Sequence, residues 1–258
     1  MVLHVLDLPR LAYPMLGADI AQDLAMSIEQ AMREEGQQIL KRTMAHLSYH
    51  ASPVSKYIEV GTPAEEILSM AQAKHVDLIA IGARGIGQFR ELILGSVSHR
   101  VLTHAPCPVL TITTPLQELK NILLPVHGPE DAEHARHFLM KRPFPSKVKI
   151  TAFTVVPIPR SILRTGVSAP EAKIQQALES AELFIDRVVT ELNMLPYTVT
   201  GMVGMGTPAE TILEQAATIK SDLIIMGTHN RSAVNRFLMG SVSHTVLNQG
   251  TCSTLLIR

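Results

Sequence analysis

Gly61-Thr-Pro-Ala-Glu-Glu-Ile-Leu68 returns as Gly206-Thr-Pro-Ala-Glu-Thr-Ile-Leu213, and Gly95-Ser-Val-Ser-His99 returns as Gly240-Ser-Val-Ser-His244. Both recurrences fall at one constant offset without insertions. About 40% of the positions around and between them are identical, well beyond what unrelated segments share. The chain therefore reads as a tandem duplication, with a first domain at residues 1–114 and a second at 119–258. Its 258 residues suit two domains of ordinary size.

The order of elements is plainest in the second copy. Residues 120–126 form a short apolar run, and 129–140 carry helical spacing at Ala132, Ala135, Phe138 and Leu139. A β-branched stretch at 148–156 is closed by Pro157 and Pro159. A long apolar stripe from Ile174 to Leu192 predicts a helix over about 170–195, followed by a strand at 197–203. Thr207-Pro-Ala-Glu210 then predicts a helix start: Thr to cap, Pro at the first helical position, Glu to close a capping box. Thr62-Pro-Ala-Glu65 repeats that pattern. A nearly all-apolar strand at 222–227, a helix from Ser241 and a last strand at 253–257 complete the copy. This alternation predicts an α/β fold, with two doubly wound, Rossmann-like parallel sheets and right-handed crossovers.

The first copy begins later in the pattern. Residues 1–6 correspond to the second strand of the other copy and 17–47 to its long helix. An opening strand and helix, about 30 residues, have no counterpart. The first strand of such a sheet is central, so two neighbours are expected to lack their shared partner.

Lys and Arg total 23, as do Asp and Glu, so the net charge is zero. No field steers the protein toward nucleic acid or an anionic membrane. The apolar runs 77–82 and 222–227 are far shorter than the roughly 20 residues that span a bilayer. The N-terminus has no basic region ahead of its apolar residues and no small-residue cleavage site, which predicts a cytoplasmic protein. Cys107 and Cys252 are repeat mates rather than neighbours, pointing to structural thiols in a reducing compartment. The 12 methionines are dispersed over core-type positions.

The segment richest in chemistry is Gly82-Ala-Arg-Gly85, nine residues, then Gly95-Ser96, which runs from a buried strand to a helix start. Glycines let backbone approach a ligand, and amides at a helix N-terminus attract an anion. Ser96 and Ser98 add hydroxyls and Val97 an amide, at the strand end where open α/β sheets bind ligands.

With its flanks, Asp77-Leu-Ile-Ala-Ile81, Ser96-Val-Ser-His-Arg-Val-Leu102 and Ala105-Pro-Cys-Pro-Val-Leu-Thr-Ile112, this block resembles the signature of the universal stress protein family. The resemblance covers 119–258 and all but the start of the first half. It implies an adenine nucleotide alpha hydrolase-like fold and an ATP site, with Mg2+ accompanying the phosphates. Gly82 would lie near the ribose, Gly85, Gly95, Ser96, Val97 and Ser98 around the phosphates, and Val5 at the adenine edge. In the second copy Gly227, Gly240, Ser241, Val242 and Ser243 are retained. There His127 replaces an Asp expected at the end of the first strand, and Asn230 replaces the second glycine, so that site is expected to lack a nucleoside acceptor. The resemblance also implies that the last strands of the two domains pair, 109–112 with 255–257.

Other candidates have plainer readings. His134 and His137 share a helix face without an accompanying ligand set, which favours a solvated surface over a metal site. His99 and His244 repeat at a helix start, where packing or capping competes with a phosphate contact. No Gly-x-Ser-x-Gly elbow, Walker lysine loop or Cys-x-x-Cys pair is present. The sequence thus predicts a stress-response protein that binds or senses an adenine nucleotide and is not an enzyme, slow hydrolysis remaining compatible with it. The alternative is a nucleotide-independent structural or protein-interaction module with degenerate sites. Protein partners or a homodimer suit both readings.

Overall fold

The computed structural model describes residues 1–9, 18–47, 53–83, 94–115, 118–158, 171–228 and 239–257. They fall into two compact units, Met1–His75 and Val76–Arg258.

In the first unit, β1 (Val2–Leu6) and β2 (Lys56–Val60) pair in parallel, from Val2 opposite Lys56 to Leu6 opposite Val60. Two helices, α1 (Ala18–Leu47) and α2 (Pro63–Ala73), pack on this pair.

The second unit runs β3 (Ile79–Gly82), α3 (Ser96–His104), β4 (Val109–Ile112), β5 (Asn121–Pro125), α4 (Pro129–Met140), β6 (Lys149–Pro157), α5 (Glu171–Leu192), β7 (Thr198–Gly206), α6 (Pro208–Thr218), β8 (Leu223–Gly227), α7 (Ser241–Gln249) and β9 (Ser253–Ile257). Its sheet has seven strands among the described residues, in the order β3-β4-β9-β8-β5-β6-β7. Neighbours are parallel except at β4 and β9, which run antiparallel with Leu110 opposite Leu255. The last strands of the two repeats thus pair within one chain.

Alternation of side chains explains why both faces of this sheet are covered. Ile122 and Leu124 of β5 join Ala135 and Leu139 of α4 and Ile185, Val188 and Leu192 of α5 in one buried cluster. Leu123, between them, points to the other face and is equally buried. Burying a side chain of this size contributes about 1.5–3 kcal/mol. In the second repeat β5 therefore pairs on both edges, with β6 and with β8. Their counterparts in the first repeat, β1 and β3, have one strand partner each among the described residues, β2 and β4, and lie in different sheets.

Of the capping boxes expected at Thr62 and Thr207, the half made by the threonine side chain does not form. Both residues sit at the N-cap in extended conformation, but neither side chain makes a cap hydrogen bond. The carbonyls begin the helical bonding: Thr62 O accepts from the amides of Glu65 and Glu66 at 3.0 Å, and Thr207 O from the Thr211 amide at 2.9 Å. Pro at the first helical position has already removed one donor that would need a cap.

The glycine ahead of α6 has a firmer role. Gly206 lies at φ +146°, and a Cβ there would meet Thr211 Oγ1 at 2.8 Å. Gly206→Ala is expected to cost about 1–3 kcal/mol of stability. Gly128→Ala, at φ −175° with nothing within 4 Å of the added methyl, is expected to stay within about 0.5 kcal/mol of wild type. Urea denaturation of the full chain compares them, and equal midpoints would contradict the assignment.

Candidate functional site

In the second unit the strand order reverses direction of winding at β5, with β6 and β7 on one side and β8 and β9 on the other. The carboxyl ends of β5 and β8 lie side by side there, and such a switch point opens a crevice. The crevice is present as a cavity of about 780 Å³. Its floor is made by the ends of β5, β6 and β8: Pro125, Val126, Phe153, Val155, Met226 and Gly227. Three helices begin on its rim. Gly128–Asp131 bring the start of α4, Pro208 the start of α6, and Gly240–Ser243 the start of α7.

The start of α7 brings backbone N–H groups to the cavity. Its first intrahelical bond runs from the His244 amide to Gly240 O at 2.9 Å. The amides of Ser241, Val242 and Ser243 precede that bond and point out of the helix end, where the helix dipole is positive. Gly240 caps the helix in extended conformation, φ −62° and ψ 152°.

The expected site residues are placed as follows. His127, Gly227, Gly240, Ser241, Val242 and Ser243 all line the cavity. Gly82 ends β3, Gly95 caps α3, and Ser96, Val97 and Ser98 form the first turn of α3. Val5 belongs to β1 in the other compact unit. Gly85 and Asn230 lie outside the described residues.

Two expected phosphate donors are otherwise engaged. Ser98 Oγ donates to Gly82 O at 2.7 Å, and Ser243 Oγ donates to Gly240 O at 3.0 Å. Both side chains are buried, at 4% and 3% exposure, where a hydroxyl without a partner is costly. Their protons go to the end of β3 and to the N-cap of α7 instead of to a ligand. The Gly95 amide is likewise used, donating to Ala83 O at 2.8 Å.

The sequence reading also missed a carboxylate pair. With His127 in place of an acid, the second site was expected to lack an acceptor, yet Glu130 and Asp131 in the first turn of α4 line the same cavity. Asp131 Oδ2 accepts the His127 amide at 3.0 Å, which fixes the chain as it leaves β5. The sequence signal was Gly128-Pro129-Glu130-Asp131, a helix start with acids in its first turn. The apolar lining from Phe153, Val155, Ile212 and Met226 was not anticipated, because it is assembled from three separate elements.

Among the remaining candidates, His137 Nε2 lies 3.2 Å from Glu133 Oε1 on an exposed face of α4, and Arg136 engages the same carboxylate at 2.7 Å. Arg136 holds the Glu133 carboxyl below its ordinary range. No helix among the described residues is long and apolar enough to cross a membrane. Cys107 is buried, and burial pushes the Cys252 thiol up to about 11. At pH 8 only about one Cys252 in a thousand would be thiolate, against about one in ten for a thiol with an ordinary value of 9.0. Iodoacetamide at pH 8, followed by mass spectrometry, is therefore expected to modify Cys252 about a hundredfold more slowly in folded than in urea-unfolded protein. Equal rates would refute the shielding.

Comparison with known proteins agrees with this fold. The universal stress protein family model matches residues 1–113 and 118–258. A universal stress protein of Methanocaldococcus jannaschii is 35% identical over 91 residues, covering 35% of this chain and 54% of that protein. One of Bacillus subtilis is 38% identical over 85 residues, covering 33% of this chain and 57% of that protein. The chain thus spans a little over half the length of these relatives. Among solved structures, a putative universal stress protein of Pseudomonas aeruginosa superposes with a TM-score of 0.62, covering 99% of this chain and 91% of that one. At 17% identity, that likeness is one of fold.

Proposed function

The chain belongs to the universal stress protein family, and on that footing we propose that it is a cytoplasmic stress-response protein whose second repeat binds an adenine nucleotide. What carries this reading is the cavity of about 780 Å³ at the sheet's switch point, with three helix starts on its rim. Ligand pockets for small molecules fall in the range of about 300–1,000 Å³.

The two halves of a nucleotide meet suitable surroundings. Phe153, Val155, Ile212 and Met226 offer an apolar wall for a flat base. The amides of Ser241, Val242 and Ser243 face phosphates at the N-terminus of α7. Between them, the acids in the first turn of α4 accept from ribose hydroxyls, a role the family pattern gives to the residue at position 127. In this reading the side chain at 127 is freed from that role.

The protein acts here as a binder. A bound nucleotide changes what a protein partner or a second copy meets only if it favours one arrangement of the surrounding loops and helices over another.

Calorimetric titration of the full chain with Mg-ATP tests this, with Ser241→Glu as the diagnostic variant. Ser241 is exposed at the first position of α7, where a carboxylate favours the helix yet repels a phosphate. Wild type is expected to show saturable binding, and the variant to bind about tenfold or more weakly with an unchanged or higher Tm. No heat from wild type up to millimolar nucleotide would return the protein to the class of nucleotide-independent interaction modules. Equal binding by Ser241→Glu would place the ligand elsewhere.

A further inference from the structure

The antiparallel junction of the sheet is centred on Leu110 opposite Leu255, and these two residues are repeat mates. A local two-fold axis therefore passes between β4 and β9. The same symmetry joins another pair of mates, His99 on α3 and His244 on α7, the last residues of the two Gly-Ser-Val-Ser-His segments. Their ring centroids are 5.9 Å apart with the planes at 85°. Both side chains are exposed, and neither lines the nucleotide cavity.

We propose that His99 and His244 together bind a borderline-soft divalent metal ion, of the Zn2+, Ni2+ and Cu2+ class, bridging the two repeats. Neutral imidazoles are ligands for these ions, with metal–nitrogen bonds of about 2.0–2.1 Å. Two rings sharing one ion at such bond lengths hold their centroids about 5–6 Å apart, which includes the observed spacing. Turning one ring from the edge-to-face arrangement to aim a nitrogen at a common point is a rotamer motion of an exposed side chain, on the picosecond to nanosecond scale.

One further group touches the His244 ring. The Asn248 amide nitrogen is 3.2 Å from His244 Nδ1, 3.1 Å from its Nε2 and 3.0 Å from its carbonyl oxygen. Bonding to the His244 carbonyl fixes that end as the amide N–H, which donates to the ring, so the nitrogen that the ion takes is released from Asn248. Among the described residues no group of three His, Cys, Asp or Glu gathers to hold a metal. Water or a second copy of the chain completes the coordination, and Cu2+ binds most tightly of the three.

The full chain is titrated with CuCl2 and with ZnCl2 by calorimetry, alongside His99→Gln, His244→Gln and the control His137→Gln. One equivalent is expected to bind wild type and the control alike, and each of the two site variants is expected to bind about tenfold or more weakly. The electron paramagnetic resonance spectrum of wild type with one Cu2+ is expected to show two coupled imidazole nitrogens, a readout that does not depend on any variant folding. A single nitrogen, undiminished binding in either site variant, loss of binding in the control, or no saturable binding by wild type would each overturn the proposal.

Discussion

The second unit depends on one short strand paired on both edges. Ile122, Leu123 and Leu124 of β5 are at 0–1% exposure, hydrogen-bonded to β6 on one side and β8 on the other, with helices over both faces. A strand so enclosed can only be apolar, since a buried polar side chain there would meet no partner. Because β5 is central, the chain must leave it toward one side and return on the other, and the crevice opens where those paths diverge. The cavity is thus a consequence of strand order before it is a consequence of any residue that lines it.

The first repeat shows the converse. It keeps the same strand signature, Asp77-Leu-Ile-Ala-Ile81 against Asp222-Leu-Ile-Ile-Met226, and the fuller glycine pattern. Yet Leu223 to Met226 of β8 are all buried, whereas in β3 Ala80 is exposed and Ile81 only half-buried, and Leu78 is 45% exposed. Similar residues reach different burial because β8 has a neighbour on each side and β3 has one among the described residues. A motif read along the chain reports which backbone shape is allowed. It does not report whether the sheet beside it is complete.

This separates what could be read from the sequence from what could not. Period and punctuation located the elements well: α4 occupies Pro129–Met140 and β9 Ser253–Ile257, as the apolar spacing and flanking Pro and Gly required. The internal repeat implied that 109–112 and 255–257 are equivalent strands, and they meet across the local axis. Hydrogen-bond direction was beyond such reading. Whether Ser243 aims its proton at a ligand or at Gly240 O is set by burial and by a carbonyl three residues back, and a residue list contains neither. The acids of α4 were passed over for a related reason. One substitution, at His127, drew notice to the lost carboxylate, while the first turn of the next helix brought two others to the same space.

The cavity and the junction between repeats share one element. Helix α7 begins at the rim with Ser241, and its fourth residue, His244, meets His99. At nine residues it is about 14 Å long, too short to bend appreciably between those points. Val246 and Leu247 are buried, so the helix is seated firmly along its inner face and has little freedom to slide. An anion at its first turn and a contact at its second are therefore felt by the same rigid body. By linkage, each alters the other's affinity only to the extent that the helix has two seatings that both distinguish.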